Sequence, residues 1–195
     1  MIEPTFLLAR LYRFTHVEPF CAAAGHHGRP TIGVIDQCVL KERWVGVRGV
    51  GTTLNGTPVH SRGVKELSEA MMYATTPHMF AAGFEADAFG AVRDAVKRPL
   101  YGCDCYAYGL VASGFGADLV VEADLGLYDY AALVPVVLGA GGSMTDWTGK
   151  ELTIQHHEAS KGRVVAAANA LLHVAALKLL SGASAGTKRP LEDGA

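Results

Sequence analysis

Three carboxylates, Asp104, Glu122 and Asp129, are the residues of this sequence best suited to chemistry, and all lie within residues 101–149. Each stands at the predicted end of a strand or the start of a helix. An α/β sheet collects its ligand-binding groups at such positions. Carboxylate oxygens are also the ligands that hard cations prefer. The stretch therefore indicates a ligand site rich in negative charge.

Each carboxylate has a structural alternative. Asp129 follows the loop 123–128 at the predicted first position of an apolar helix, where an Asp side chain can cap the helix instead of binding a cation. Glu122 can be an ordinary solvated strand end, and Asp104 can make a hydrogen bond within a turn. Spacing alone favours the cap for Asp129 and leaves the other two open.

Other candidate groups carry weaker signals. Cys103 and Cys105 could bind a metal or form a redox pair, although one C-x-C motif is little evidence for either role. Two adjacent histidine pairs stand at 26–27 and 156–157. Neighbouring strand residues face opposite ways, so these pairs make poor chelates and are predicted at the surface.

The composition is that of a globular protein that binds small molecules. The chain has 195 residues, half of them hydrophobic, which is enough for one domain or two small lobes. A formal charge of −2 without a basic cluster argues against nucleic acid as the main partner. No apolar run reaches the roughly 20 residues of a membrane span, so no membrane partner is expected. The four cysteines lack zinc or disulfide spacing and indicate a reducing compartment.

The first half of the chain is predicted to be mostly β-structure. Residues 31–47 are rich in Val and Ile with a polar turn at 41–42, which predicts a β-hairpin. Asn55 and Gly56 predict a tight turn within a second strand pair. A strand is predicted within 67–76, and the spacing of apolar residues predicts a helix over 77–96.

The second half alternates short strands and helices, as α/β layers do. Strands are predicted at 99–102, 118–122, 143–146 and 163–168, and helices at 105–113, 129–138 and 169–180, the last with Asn169 as its N-cap. The expected architecture has layers, with an antiparallel sheet over 31–76 and a smaller α/β lobe over 101–180. The helix at 77–96 is expected to join them.

Three segments follow from this pattern. Residues 1–24 form a divergent N-terminal segment, 25–180 the folded domain, and 181–195 a tail. The tail is small, polar and Pro-containing, and it is too poor in apolar side chains to offset the entropy of ordering, so it is predicted to be disordered.

Several motifs carry a family resemblance that covers roughly residues 28–180. They include TTLNG, ATTPHMF, YGCDCYAYGLVASG, DLVVE, YDYAALVPVV and the Ala140-Gly141-Gly142 turn. This pattern resembles the inositol-monophosphatase superfamily, and within it the histidinol-phosphate phosphatases, especially those of plants. The resemblance implies an α/β (α+β layered) sandwich of the inositol-monophosphatase type, of which this chain holds the C-terminal two thirds.

The resemblance also implies roles for the three carboxylates. Asp129 would be a Mg²⁺ ligand, since metal-dependent phosphatases use the ion to activate water and neutralise phosphate charge. Asp104 and Glu122 would bind the substrate, where a carboxylate suits the protonated amine or imidazole of histidinol phosphate. The implied reaction is hydrolysis of this small phosphorylated substrate to histidinol in histidine biosynthesis, with Mg²⁺ as cofactor. No residue is assigned as the catalytic group.

One departure limits the resemblance. The family places further metal ligands upstream, a Glu in one motif and two Asp in a D-P-[LI]-D-G-[ST] loop that also holds the phosphate. Neither motif occurs here; Ile35-Asp36 lacks the following Gly-Thr. The expectation is therefore an N-terminally truncated chain that is inactive on its own.

Three functional hypotheses follow. The first is the Mg²⁺-dependent histidinol-phosphate phosphatase. The second is an inositol- or sugar-phosphate phosphatase, because fold alone does not fix the substrate. The third is a non-catalytic remnant or interaction module. A homodimer stays open, and the compartment expected from the plant resemblance is the plastid, with the cytoplasm as the alternative.

Overall fold

The computed structural model describes residues 6–10 and 20–182. Two sheets and two helical layers alternate, in the order sheet, helices, sheet, helices. The strands are β1 Phe6–Arg10, β2 Phe20–His26, β3 Arg29–Gln37, β4 Glu42–Val47, β5 Gly51–Leu54, β6 Thr57–Pro58, β7 Met71–Ala74, β8 Arg98–Tyr101, β9 Leu119–Glu122, β10 Ser143–Thr145 and β11 Val164–Ala167. The helices are α1 Phe84–Ala95, α2 Cys105–Ser113, α3 Leu127–Tyr130, α4 Leu133–Gly139, α5 His157–Ser160 and α6 Ala170–Gly182.

The first sheet is an antiparallel meander of β1 to β6 in sequence order. Both predicted hairpins are confirmed: β3 pairs with β4, and β5 pairs with β6 across Asn55-Gly56. Asn55 and Gly56 have φ values of 51° and 81°, the left-handed conformation that such a turn requires. Strand β2 crosses the predicted boundary between residues 24 and 25. Residues 1–5, 11–19 and 183–195 lie outside the described residues, and with them most of the predicted tail.

The second sheet has the order β10-β11-β9-β7-β8. Strand β7 pairs in parallel with both β8 and β9, whereas β11 is antiparallel to β9 and β10. The prediction that the first sheet extends to residue 76 was therefore wrong, because β7 belongs to the second sheet. The apolar side chains of β7 are needed there, since Met72 packs against α1 and α6.

Two helices differ from their predicted lengths. Helix α1 begins at Phe84 rather than at 77, because Gly83 with φ 86° precedes it. The predicted helix over 129–138 is two short helices, α3 and α4, separated at Ala131 and Ala132. Helix α2, in contrast, has the predicted bounds, and Asn169 caps α6 by accepting a hydrogen bond from the Leu172 N–H at 3.0 Å.

Helix α4 lies against the first sheet at unusually close range. Gly33 of β3 and Gly46 of β4 are register partners directly beneath it. A Cβ on Gly33 would stand 1.9 Å from the backbone oxygen of Ala132, and one on Gly46 would stand 2.4 Å from the Cα of Val136. Only glycine fits at both positions, so this pair sets the height of α4 above the sheet.

Candidate active site

The three parallel strands of the second sheet bring the candidate residues to one edge. Thr75 directly follows β7, Glu122 ends β9, and Asp104 follows β8 after a short turn. Because β8, β7 and β9 run the same way, their carboxyl ends meet at that edge. Asp129 reaches the same place from α3, which follows β9.

A cavity of about 150 Å³ opens between these elements. Asp104, Glu122 and Asp129 all line it, as the sequence predicted for a shared cleft. The other lining residues that the structure describes are Thr75, Met79, Cys105, Tyr108, Leu125 and Leu133. No Lys, Arg or His stands among these described residues, so the cavity concentrates negative charge and favours cationic groups.

Glu122 is buried, with 3% of its surface exposed, and protein groups donate to both of its oxygens. Its Oε1 accepts from the Thr75 N–H at 3.0 Å and from the Thr75 hydroxyl at 2.5 Å, and its Oε2 accepts from the Tyr108 hydroxyl at 2.5 Å. Burial raises the pKa of Glu122 above its usual value, the Thr75 and Tyr108 hydrogen bonds oppose the rise, and the charge of Asp104 adds to it. The alternative of a solvated strand end was therefore wrong for Glu122.

Asp104 stands just before α2 in an unusual backbone conformation. Gly102, Cys103 and Asp104 have successive φ values of 92°, 71° and 41°. Non-glycine residues rarely adopt positive φ, and such strain often marks a functional site. The Asp104 Oδ1 accepts a hydrogen bond from the Thr75 hydroxyl at 3.0 Å. The structural hydrogen bond expected as its alternative role therefore exists, but its donor is the residue that follows β7 rather than a group of its own turn.

Asp129 is the third residue of α3 rather than the first residue of a helix. Its Oδ2 accepts a hydrogen bond from the Gly126 N–H at 2.8 Å, and its N–H donates to the Gly126 oxygen at 2.9 Å. One carboxylate oxygen thus caps the helix start while the side chain also lines the cavity. The role of Asp129 as a metal ligand stays a prediction.

A clamp from later in the chain fixes the loop between Glu122 and Asp129. The Leu125 N–H donates to the Gly162 oxygen at 3.2 Å, and a Cβ on Gly162 would stand 2.2 Å from the Leu125 nitrogen. Gly162 also has a φ of 64°, which favours glycine. Gly162 therefore holds the loop that carries Asp129.

Two residues of the site, Thr75 and Tyr108, were not predicted to contact the carboxylates. Tyr108 is fully buried, and its hydroxyl contacts Glu122. A buried tyrosine hydroxyl normally has a hydrogen-bond partner, so a polar contact of Tyr108 could have been predicted, although not the identity of its partner. Thr75 directly follows the apolar strand β7, but its partners lie 29 and 47 residues away.

The weaker candidates lie elsewhere or play structural roles. Cys105 lines the cavity, whereas Cys103 is exposed. The prediction that His156 and His157 are surface residues was only partly right, because both are half-buried. His156 contacts the Asp146 carboxylate at 2.7 Å, and His157 contacts the Tyr130 hydroxyl at 3.0 Å. His26 and His27 are exposed, and their rings meet edge to face.

Glu122 gives a prediction about pH. Because its pKa is higher in the folded chain than in the unfolded one, folding binds its proton more tightly. The stability that Glu122 contributes is therefore present in full at pH values below its pKa in the unfolded chain. It is lost as the pH rises through the raised pKa of Glu122 in the folded chain. Between these two pKa values, we expect the free energy of unfolding to fall less steeply with pH for Glu122→Gln than for the unmodified chain, as measured by urea denaturation. Equal slopes for the two proteins would contradict the assignment.

Comparison with known proteins adds a family match over most of the chain. The model of the inositol monophosphatase family matches residues 14–184. The chain is 50% identical over 158 residues to the bifunctional phosphatase IMPL2, chloroplastic, of Arabidopsis thaliana, covering 80% of this chain and 45% of that protein. It is 32% identical over 128 residues to a histidinol-phosphatase of Chlorobaculum parvum, covering 65% of this chain and 49% of that protein.

The fold also matches solved structures. An inositol monophosphatase from Zymomonas mobilis superposes with a TM-score of 0.78 at 39% identity, covering 84% of this chain and 62% of that one. The chain thus spans about half the length of the two curated relatives and under two thirds of this structure. Within the described ranges, no helix has the length and apolarity needed to cross a bilayer.

Proposed function

This chain belongs to the inositol monophosphatase family. From that premise we propose for it the function of a phosphomonoesterase of the histidinol-phosphate type. The substrate would be a small phosphorylated alcohol that also carries a cationic amine. The observation that supports this most directly is the placement of Asp104 beside Glu122 in one cavity. The two relatives named as phosphatases above agree with the reaction class.

Charge is the reason for choosing an amine-bearing substrate. Two carboxylates joined through one hydroxyl, with no basic side chain among the described lining residues, favour a ligand that brings its own positive charge. A neutral polyol such as inositol would gain hydrogen bonds there but would leave the negative charge uncompensated. Histidinol phosphate brings both an ammonium and an imidazole.

The carboxylate oxygens of the cavity are ligands of the type that Mg²⁺ prefers, but they are too few to complete its coordination shell. We propose Asp129 as a Mg²⁺ ligand, since carboxylate oxygens suit this ion. Among residues 6–10 and 20–182, however, no group of three or more His, Cys, Asp or Glu is arranged to hold a metal. When bound, Mg²⁺ would supply charge neutralisation at the phosphate. The described residues provide amine recognition and only part of the metal shell.

A second candidate function follows from that shortfall. The described part of the chain lacks a full ligand cluster, so a non-catalytic module that retains amine binding is the alternative. The two candidates share the Asp104 site and differ in turnover. An inositol- or sugar-phosphate phosphatase is the third reading, and it predicts no role for a carboxylate at Asp104.

The amine-binding site gives a direct prediction. Replacing Asp104 by Asn removes one negative charge at nearly constant shape, and we expect histidinol to bind about tenfold more weakly, the usual scale for losing a hydrogen bond to a charged group. Calorimetric titration of residues 1–195 with histidinol and with myo-inositol measures this. Asp87→Asn, on the exposed side of α1, is the charge-matched control. Unchanged histidinol affinity in Asp104→Asn, or tighter binding of inositol than of histidinol by the unmodified chain, would overturn the proposal.

The compartment and assembly are also proposals. The Arabidopsis relative is described as chloroplastic, which favours the plastid over the cytoplasm for this chain. A fluorescent fusion of the gene product tests that location, and light scattering of the purified chain tests for a homodimer.

A further inference from the structure

The Thr75 hydroxyl lies between two carboxylates. Its oxygen is 2.5 Å from the Glu122 Oε1 and 3.0 Å from the Asp104 Oδ1, and both are within hydrogen-bond reach. A threonine hydroxyl has one proton and can donate it to only one acceptor at a time. If both carboxylates are ionised, one of these two short contacts has no proton between its oxygens.

The remaining contacts of Glu122 do not make up this deficit. The Thr75 N–H and the Tyr108 hydroxyl already donate to Glu122, and water has little access because the side chain is 3% exposed. Within the described part of the chain, Thr75 gives the only hydrogen bond seen to the Asp104 carboxylate. Counting protein groups alone, the cluster Asp104–Thr75–Glu122 is one positive charge, or one proton, short of complete pairing, and of its two carboxylates only the half-buried Asp104 has access to water.

We propose that Asp104, Thr75 and Glu122 act as one unit, which holds a shared proton when no ligand is bound and exchanges it for the ammonium group of a ligand. Thr75 is then a positioning residue that sets specificity for cationic over neutral alcohols. This inference deepens the proposed function and rests on it for the identity of the ligand. The shared proton itself does not depend on that function.

The hydrogen bonds balance in both states. Without ligand, the Glu122 Oε1–H donates to the Thr75 oxygen, the Thr75 hydroxyl donates to Asp104, and Tyr108 donates to the Glu122 Oε2, so each O–H is used once. When an ammonium binds, its N–H groups donate to the carboxylates, and the shared proton passes to the solvent. The unit carries one net negative charge before and after. A neutral alcohol brings no charge to replace the proton.

The surroundings favour proton sharing. The titratable groups that face Glu122 are Asp104, Cys105 and Tyr108 around the start of α2 and Asp129 on α3, and none of them is a base that would bring positive charge. Burial, with the nearby charge of Asp104, raises the pKa of Glu122, while the hydrogen bonds from Thr75 and Tyr108 lower it. Met79, Leu125 and Leu133 supply apolar walls, which strengthen the coupling between the two carboxylates.

The first test needs no ligand. The carboxyl carbons of residues 1–195 are followed by ¹³C NMR over a pH titration. We expect the Asp104 and Glu122 carbons to report the same two steps, as coupled groups do, and Asp104→Asn to leave Glu122 with one step at lower pH. Independent single steps for the two residues in the unmodified chain would overturn the shared proton.

The second test uses two substitutions at Thr75. Thr75→Val removes the hydroxyl but keeps the shape and the backbone N–H, and Thr75→Ser retains the hydroxyl. Histidinol is titrated calorimetrically in two buffers of different ionisation enthalpy, which counts the protons released. We expect nearly one proton per histidinol for the unmodified chain and Thr75→Ser, and for Thr75→Val less release and about tenfold weaker binding. A structural role alone would not change the proton count.

The outcomes separate the two proposals. Histidinol binding without proton release, or equal release by Thr75→Val and the unmodified chain, overturns the exchange and leaves the proposed function standing. If histidinol does not bind while the two carbons titrate together, the proposed function and the exchange fail and the shared proton stands. Release of a proton on myo-inositol binding would overturn the specificity assigned to Thr75.

Discussion

Residues 1–195, assayed with histidinol phosphate and millimolar Mg²⁺, are expected to release no phosphate above the uncatalysed background. The sequence holds no D-P-[LI]-D-G-[ST] loop, and the described residues hold no cluster of three metal ligands. Mg²⁺ sheds its water reluctantly, so Asp129 with Glu122 nearby is a poor basis for a fixed metal shell. Positioning of the reacting groups supplies about 7 to 11 kcal/mol of a barrier in well-ordered sites, and the residues that would position the phosphate are not found here.

The assay has a direct control. If the background expectation holds, Asp129→Asn should release phosphate at the same rate as the unmodified chain. Robust turnover that Asp129→Asn abolishes would refute the expectation and show that the ligands are completed from elsewhere in this chain or by a second copy. Inactivity combined with histidinol binding is the result that fits the second candidate function, a binding module.

Gly33→Ala and Gly46→Ala are each expected to destabilise the fold by about 3 kcal/mol or more, at or above the upper end of overpacking effects. The added Cβ would meet backbone atoms of Ala132 and Val136, and backbone cannot rotate aside as a flexible side chain can. Relief requires α4 to rise from the sheet, which would expose its buried residues and move Leu133 at the cavity wall. Urea denaturation followed by circular dichroism measures the loss, and insoluble expression would be its extreme form.

Gly63→Ala is the matched control for both substitutions. Gly63 is exposed, and a Cβ built on it meets nothing within 4 Å. We expect this variant to unfold within about 0.5 kcal/mol of the unmodified chain. A loss of under about 1 kcal/mol for Gly33→Ala or Gly46→Ala would mean that α4 shifts easily, and the close helix packing would then not be needed for the site.

Local patterns predicted much of the fold. The β3–β4 hairpin, the Asn55-Gly56 turn and the bounds of α2 depend on residues close in sequence, where alternation and turn chemistry act. The place of β7 could not be predicted in this way. Its partners β8 and β9 lie tens of residues further along the chain, and a short apolar strand carries no mark of the sheet that it joins. The break between α3 and α4, in contrast, could have been predicted from Pro135, which has no N–H to donate to the Ala131 oxygen and so disfavours a continuous helix over 129–138.

The carboxylates of the candidate site could be predicted from the sequence, but the residues that hydrogen-bond to them could not. Asp104, Glu122 and Asp129 were expected to share a cleft because their spacing resembles that of the family, and the structure places them around one cavity. Thr75 and Tyr108 were missed because a hydrogen bond between side chains far apart in sequence leaves no periodic signal. The charge balance of the site depends on these two residues as much as on the carboxylates.

The clamp between Gly162 and Leu125 has a consequence for biosynthesis. A chain emerging from the ribosome exposes Glu122 and Asp129 well before Gly162 and β11, so neither the loop nor the free edge of β9 has its final partner during that interval. An unpaired edge of a buried strand is a template for association with other chains. We therefore expect chaperones to engage a nascent chain that pauses between these points. The candidate site is assembled among the last parts of the fold.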